Sequence, residues 1–398
     1  MIYRKKIFHY PLSLAPILIN SAMISHFRLR TTDNIKNYYQ LFTLFKRATS
    51  IILLSRKNIQ SGTISSRLIK ERVALQDRTI GHQEYIRISK KNYKHSSRIL
   101  LLPGFSLYAE NNPGIVRLGR ALAFEGYDVY IPKLFRFYSF SFDRELVQDI
   151  KRVLYLFSTR NISDRKSGGV ISFGYCGGIA LKIVSGGNDS LAGIQFLLSV
   201  GAYSDLYKHF KDIFTGNFPI HQRTEEFILA QKKNSLFFLK NFHRIMGIDL
   251  TEDLQYVITR FLARDYLRGI TRFRHLSRED QVLFLAFYNR EDSVYYNYFE
   301  PAKQKIKEEL SFFNPPECTQ PEIPILLLHS VNDYNISFSQ SLAYFDKIHN
   351  CSNRVVLGLT DIVEPDWEIP SPFHSPGRWM KENYKLIKRM VSALSYLM

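Results

Sequence analysis

Short, unbroken apolar runs recur along this chain, each closed by Gly, Pro or Ser and followed by a segment of helical period. "RILLLPGF" (98–105) shows the pattern: a continuous run, rather than an alternating one, is what a strand buried on both faces requires. The segment after it, "NNPGIVRLGRALAFEG", reads as a helix with Asn112 as N-cap, Pro113 in the first turn and Gly126 as the stop. Ile115, Leu118 and Leu122 share one face of that helix. "YDVYIPKL" (127–134) is a second strand, and "DRELVQDIKRVLYLF" (143–157) a helix that aligns Leu146, Ile150 and Leu154. "GGVISF", then "GGIALKIV", then "AGIQFLLSVGAY" (192–203) repeat the alternation. Residues 83–90 alternate as a further strand.

The alternation stops at residue 206. Up to residue 320 the chain is rich in Phe, Tyr, Leu and Lys, helical in period and without a comparable strand run. It resumes with "IPILLLHS", the helix "SFSQSLAYFDKI", the strand "NRVVLGL" and a final helix "GRWMKENYKLIKRMVSAL". The expected fold class is therefore α/β, a mostly parallel sheet covered by helices on both faces and interrupted by a large helical lid insertion. The expected divisions are a basic N-terminal extension (1–80), a first part of the core (81–205), the insertion (206–320) and a second part of the core (321–398).

Charge narrows the partners. The net charge of +18 is concentrated in residues 1–95, which hold eighteen Lys/Arg against four Asp/Glu. Such an excess suits a nucleic acid or an anionic membrane surface. No zinc-finger spacing or RNA-recognition signature accompanies it, so no nucleic acid is expected. Peripheral membrane contact through the basic N-terminus stays open. Residues 7–27 carry no charge and are roughly long enough to cross a bilayer, but Pro11, Pro16 and Asn20 argue for a buried or surface-lying segment. Cys176, Cys318 and Cys351 are too few and scattered for a disulfide framework or metal cage. Cys318 and Cys351 read as packing residues, the location as cytoplasmic with possible membrane association, and no metal or organic cofactor is implied.

One cysteine stands apart. "GYCGGIAL" (174–181) places Cys176 between glycines at a strand-to-helix turn. A nucleophile on such a turn needs small residues two before and two after it, here Gly174 and Gly178. A helix N-terminus would also favour the thiolate. The bland alternative is a glycine turn with an inert thiol. Asp333 follows a later buried run, and His374 lies between the last strand and the last helix, in the chain order nucleophile, acid, histidine. In that arrangement Asp333 orients His374, which activates Cys176. The backbone N–H groups of Phe105 and Gly177 are candidate oxyanion donors. Asp361 and Asp366 are rival acids, His329 reads as structural, and Ser172 faces the strand interior.

These residues together resemble the α/β-hydrolase superfamily. The cysteine box resembles that of dienelactone hydrolases and polyhydroxyalkanoate synthases, except that Ile179 stands where those families have another glycine. Pro103-Gly104 stands where many hydrolases have His-Gly. The resemblance covers residues 83–205 and 320–398 and implies a Cys176–Asp333–His374 triad. It implies cleavage or transfer of an acyl group from an ester, thioester or lactone, with an apolar acyl substrate under the lid. A non-catalytic hydrolase-fold binding protein and a membrane-surface acyltransferase are the alternatives.

Overall fold

The computed structural model describes residues 46–47, 50–51, 67–77, 81–92, 97–106, 108–164, 166–187, 191–219, 225–316, 320–349, 351–352 and 354–360. The uncharged segment 7–27, Cys318, Asp361, Asp366, His374 and the final helix lie outside the described residues.

Eight strands form one sheet: β1 (Leu68–Asp77), β2 (Gly81–Lys90), β3 (Arg98–Leu102), β4 (Asp128–Pro132), β5 (Gly168–Phe173), β6 (Ile194–Val200), β7 (Ile325–Ser330) and β8 (Val355–Thr360). Their spatial order is β1-β2-β4-β3-β5-β6-β7-β8. β2 is antiparallel to both β1 and β4, and every later pairing is parallel. The continuous apolar runs become buried strands, with no exposed residue in β3, β4, β5 or β7.

β1 lies inside the segment 1–80 expected to be an N-terminal extension, and it pairs along its length with β2. Among the described residues it is an edge strand with one neighbour, and most of its residues are exposed. Its charged Lys70, Glu71 and Arg72 leave no apolar run to recognise.

Successive residues of a strand point to opposite faces, and both faces are covered. α1 (Pro113–Phe124) approaches one face so closely that a Cβ on Gly119 would lie 3.1 Å from the Ile88 side chain and 3.6 Å from that of Leu101. Leu100, Tyr130 and Val170 face the other way, into a core shared with α3 (Arg144–Ser163) and α4 (Gly174–Ser185). The short α2 (Phe135–Ser139) precedes α3. Asn112 caps α1 through Gly114 and Ile115, and Asp143 caps α3 through Leu146.

Between β6 and β7 the described residues hold helices and no strand: α5 (Leu206–Phe214), α6 (Glu225–Phe242), α7 (Glu252–Leu262), α8 (Tyr266–Phe273), α9 (Arg278–Asn289) and α10 (Lys303–Ser311). α11 (Phe338–His349) then joins β7 to β8. No helix among the described residues is long and apolar enough to cross a membrane.

Cys351 is disulfide-bonded, and Cys176 is a free thiol. The packing role expected for Cys351 is corrected accordingly.

Candidate functional site

β3 has β4 on one side and β5 on the other, so the chain reverses its direction of winding there, and a crevice opens beyond the strands' C-terminal ends. A cavity of about 210 Å³ occupies that crevice. Its floor is Gly104 and Phe105 after β3, Phe173 and Gly174 at the end of β5, Gly201 after β6, and Ser330 and Asp333 after β7. Asn112 and Phe140 line it as well, together with Lys233, Asn234, Phe237, Leu262 and Arg264 from the helical segment between β6 and β7.

The β5–α4 turn decides what the floor can do. Gly174 has φ +57°, and a Cβ built on it would meet nothing within 4 Å. At a strand-to-helix elbow the strained residue at the apex is the one presented to the pocket, and here that residue is Gly174. Cys176 is two residues into α4, fully buried and outside the cavity lining. Burial pushes its thiol pKa well up, the reverse of what an activated thiolate needs. The expectation of Cys176 at the apex is corrected. Gly174 occupies that place itself, and Ser172 and Cys176 are the small residues two before and two after it.

Gly177 and Gly178 have packing reasons to be glycine. A Cβ on Gly177 would lie 2.7 Å from Ser199 Oγ, and one on Gly178 would lie 2.3 Å from the Tyr203 ring. Gly177 does not line the cavity. Phe105 does, and so does Tyr175, the residue after the apex.

Asp333 lines the cavity at the position expected of the acid. Its Oδ1 accepts from the backbone N–H of Asn335 (2.8 Å) and Ile336 (3.1 Å), and its Oδ2 is 3.5 Å from His329 Nε2. Gly201, at φ +64°, leaves room for that carboxylate: a Cβ there would lie 2.9 Å from Oδ2. His329 is fully buried, paired with Ser341 Oγ through Nδ1 (2.7 Å) and with the Ile336 carbonyl through Nε2 (2.8 Å), consistent with the structural role read from the sequence.

A hydrogen-bonded chain beside the cavity had no signal in the sequence. Tyr175 Oη lies 2.9 Å from His209 Nε2 and donates to Asn234 Oδ1 at 3.4 Å, while Asn234 Nδ2 donates to the Asn335 carbonyl at 2.8 Å. His209 Nδ1 is buried without a partner among the described residues, and burial lowers the imidazole pKa to about 3, so the ring is neutral. A neutral ring with an unpartnered Nδ1 is best served by carrying its proton on Nε2 and donating to Tyr175. Burial first, and then the nearby Asp333, raise the Tyr175 phenol. The ring itself stacks on Phe237, with centroids 4.8 Å apart. Among the described residues, no three His, Cys, Asp or Glu side chains converge as a metal would need.

Comparison with solved structures agrees with this architecture. The chain is similar to the rice cell wall degrading esterase LipA from Xanthomonas oryzae, at TM-score 0.52 and 15% identity, covering 83% of this chain and 91% of that one. A protein from Legionella pneumophila gives TM-score 0.51 at 10% identity, covering 83% and 88%. An acylaminoacyl peptidase gives TM-score 0.47 at 12% identity, and the match spans only 43% of its length. No protein-family model and no curated protein sequence matches the chain. The chain has the α/β-hydrolase fold. In that fold the C-terminal strand edge is where the nucleophile, acid and oxyanion positions meet. Here Asp333 and Phe105, the residues expected from the sequence as acid and oxyanion donor, line one cavity together with Gly174.

Proposed function

We propose that this hydrolase-fold protein binds a small organic molecule in the β3/β5 crevice and forms no acyl intermediate on the elbow. The observation that carries this reading is Gly174 at the apex, left-handed, lining the cavity and without a side chain. The Asp333 carboxylate, bound to its own loop, then serves to hold the cavity floor. At about 210 Å³ the cavity is smaller than the ~300–1,000 Å³ of drug-sized ligand sites. It suits a compact molecule with an aromatic or alicyclic body against Phe105, Phe140 and Phe237 better than a long acyl chain.

The second reading, acyl transfer through Cys176, keeps support from Phe105 and Asp333 at the cavity. Iodoacetamide labelling at neutral pH, read by mass spectrometry, separates the two. The binding reading expects Cys176 to stay unmodified in the folded protein and to label after denaturation. It also expects Cys176→Ala to leave any hydrolysis of p-nitrophenyl esters at its original level. Rapid labelling of folded protein, with esterase activity abolished by Cys176→Ala, would establish the thiol mechanism instead.

A further inference from the structure

We infer that the outward side of α8, with the turns flanking it, is a docking surface for an anionic membrane. The inner side of this helix is fixed by contact. A Cβ on Gly269 would lie 2.8 Å from the Phe261 ring, Tyr266 meets Phe261 edge-on at 5.5 Å, and Phe273 packs on Phe284 at 5.2 Å. Seated this way, the helix turns Leu267 and Ile270 to solvent, 81% and 44% exposed.

The surrounding charge is predominantly basic, although the exposed Glu279 follows directly after Arg278. Residues 264–278 contain Arg264, Arg268, Arg272, Arg274 and Arg278 against the single carboxylate Asp265. Asp265 is shared by Arg260 and Arg268, and Asp253 of α7 pairs with Arg272. Arg274 and Arg278 are exposed and form no ion pair among the described residues.

Arginines alone would suit a nucleic acid as well as a membrane. Exposed aliphatic side chains discriminate, because they gain free energy in the boundary between headgroups and acyl chains and nothing from a phosphodiester backbone. Arginine stems can lie along such a boundary with their guanidinium groups among the phosphates. The patch also begins at the cavity rim, since Leu262 and Arg264 line the cavity. Docking would set that rim against the bilayer and give an apolar ligand a route that avoids water. None of this depends on whether the cavity performs chemistry.

The test is sedimentation of the full chain with phosphatidylcholine vesicles, with and without phosphatidylserine. Binding is expected only with phosphatidylserine and should weaken as salt rises. Leu267→Ser with Ile270→Ser should lower partitioning by about tenfold, with an unchanged thermal melt because both residues are exposed. Arg274→Gln and Arg278→Gln should each lower it about fivefold. Undiminished binding of the Leu267→Ser/Ile270→Ser protein would assign any membrane affinity to another segment and overturn the inference. Absence of vesicle binding would also overturn it, as would binding of a single-stranded oligonucleotide in place of vesicles.

Discussion

The two ends of one short segment, Gly174 and Gly178, behave as opposites. Gly174 faces the cavity, with a left-handed backbone and open space where a side chain would project. Gly178 faces the core, where the Tyr203 ring fills the place a Cβ would need. The same residue type serves backbone conformation at one end and close packing at the other. Cys176 lies between them on the buried side, as one more small residue in that packing.

This contrast can be broken most sharply at Gly178. Tyr203 is fully buried and its hydroxyl donates to the Phe313 carbonyl, so the ring has nowhere to swing. Gly178→Ala should therefore cost about 3 kcal/mol, the upper part of the range for overpacking, in urea unfolding. A loss below that of Gly174→Ala would mean the two ends had been assigned the wrong way round.

A pH series sharpens the residue between them, Tyr175, through its partner His209. The imidazole pKa is lowered from 6.5 to about 3 by burial, so between those values the unfolded chain binds a proton that the folded chain refuses. Folding stability should fall with acidification across that window, by as much as about 1.4 kcal/mol per pH unit from this group. His209→Phe should flatten that part of the stability–pH curve. An unchanged slope would show that the ring is solvated and that the chain from His209 to Asn335 is not closed.

Gly174→Ala should have the smallest effect. The left-handed backbone disfavours a Cβ by about 1 kcal/mol, and there is no clash to add. The added methyl should instead weaken whatever small molecule the cavity binds, read as a reduced ligand-induced shift in melting temperature.

The frame of the sheet was legible because burial on both faces writes itself as continuous apolar runs. β1 was not, because an edge strand with one neighbour needs no such run. The turn was misjudged for a more specific reason. The spacing small-x-apex-x-small occurs twice in overlapping frames, once as Gly174 to Gly178 around Cys176, and once as Ser172 to Cys176 around Gly174. Residue types favour the first frame, since a thiol is a chemically attractive apex. Backbone geometry selects the second, and Ile179 in place of a further glycine was the sign that the first frame fitted imperfectly. His209 and Asn234 gave no signal, since their roles come from contacts made more than thirty residues away in sequence.

The helix α6 is tied down at its middle and at its C-terminal end. Gln231 and Asn234 donate to the carbonyls of Tyr334 and Asn335, while Asn241 accepts from the Phe142 N–H and donates to the Phe140 carbonyl. Swinging this helix away would break all four bonds, each with a net value of about 0.5–1.5 kcal/mol, and would separate Phe237 from Tyr175. On that side the cavity has a wall rather than a door. If the cavity binds a ligand as proposed, exchange would have to proceed elsewhere along the crevice, with α6 staying in place.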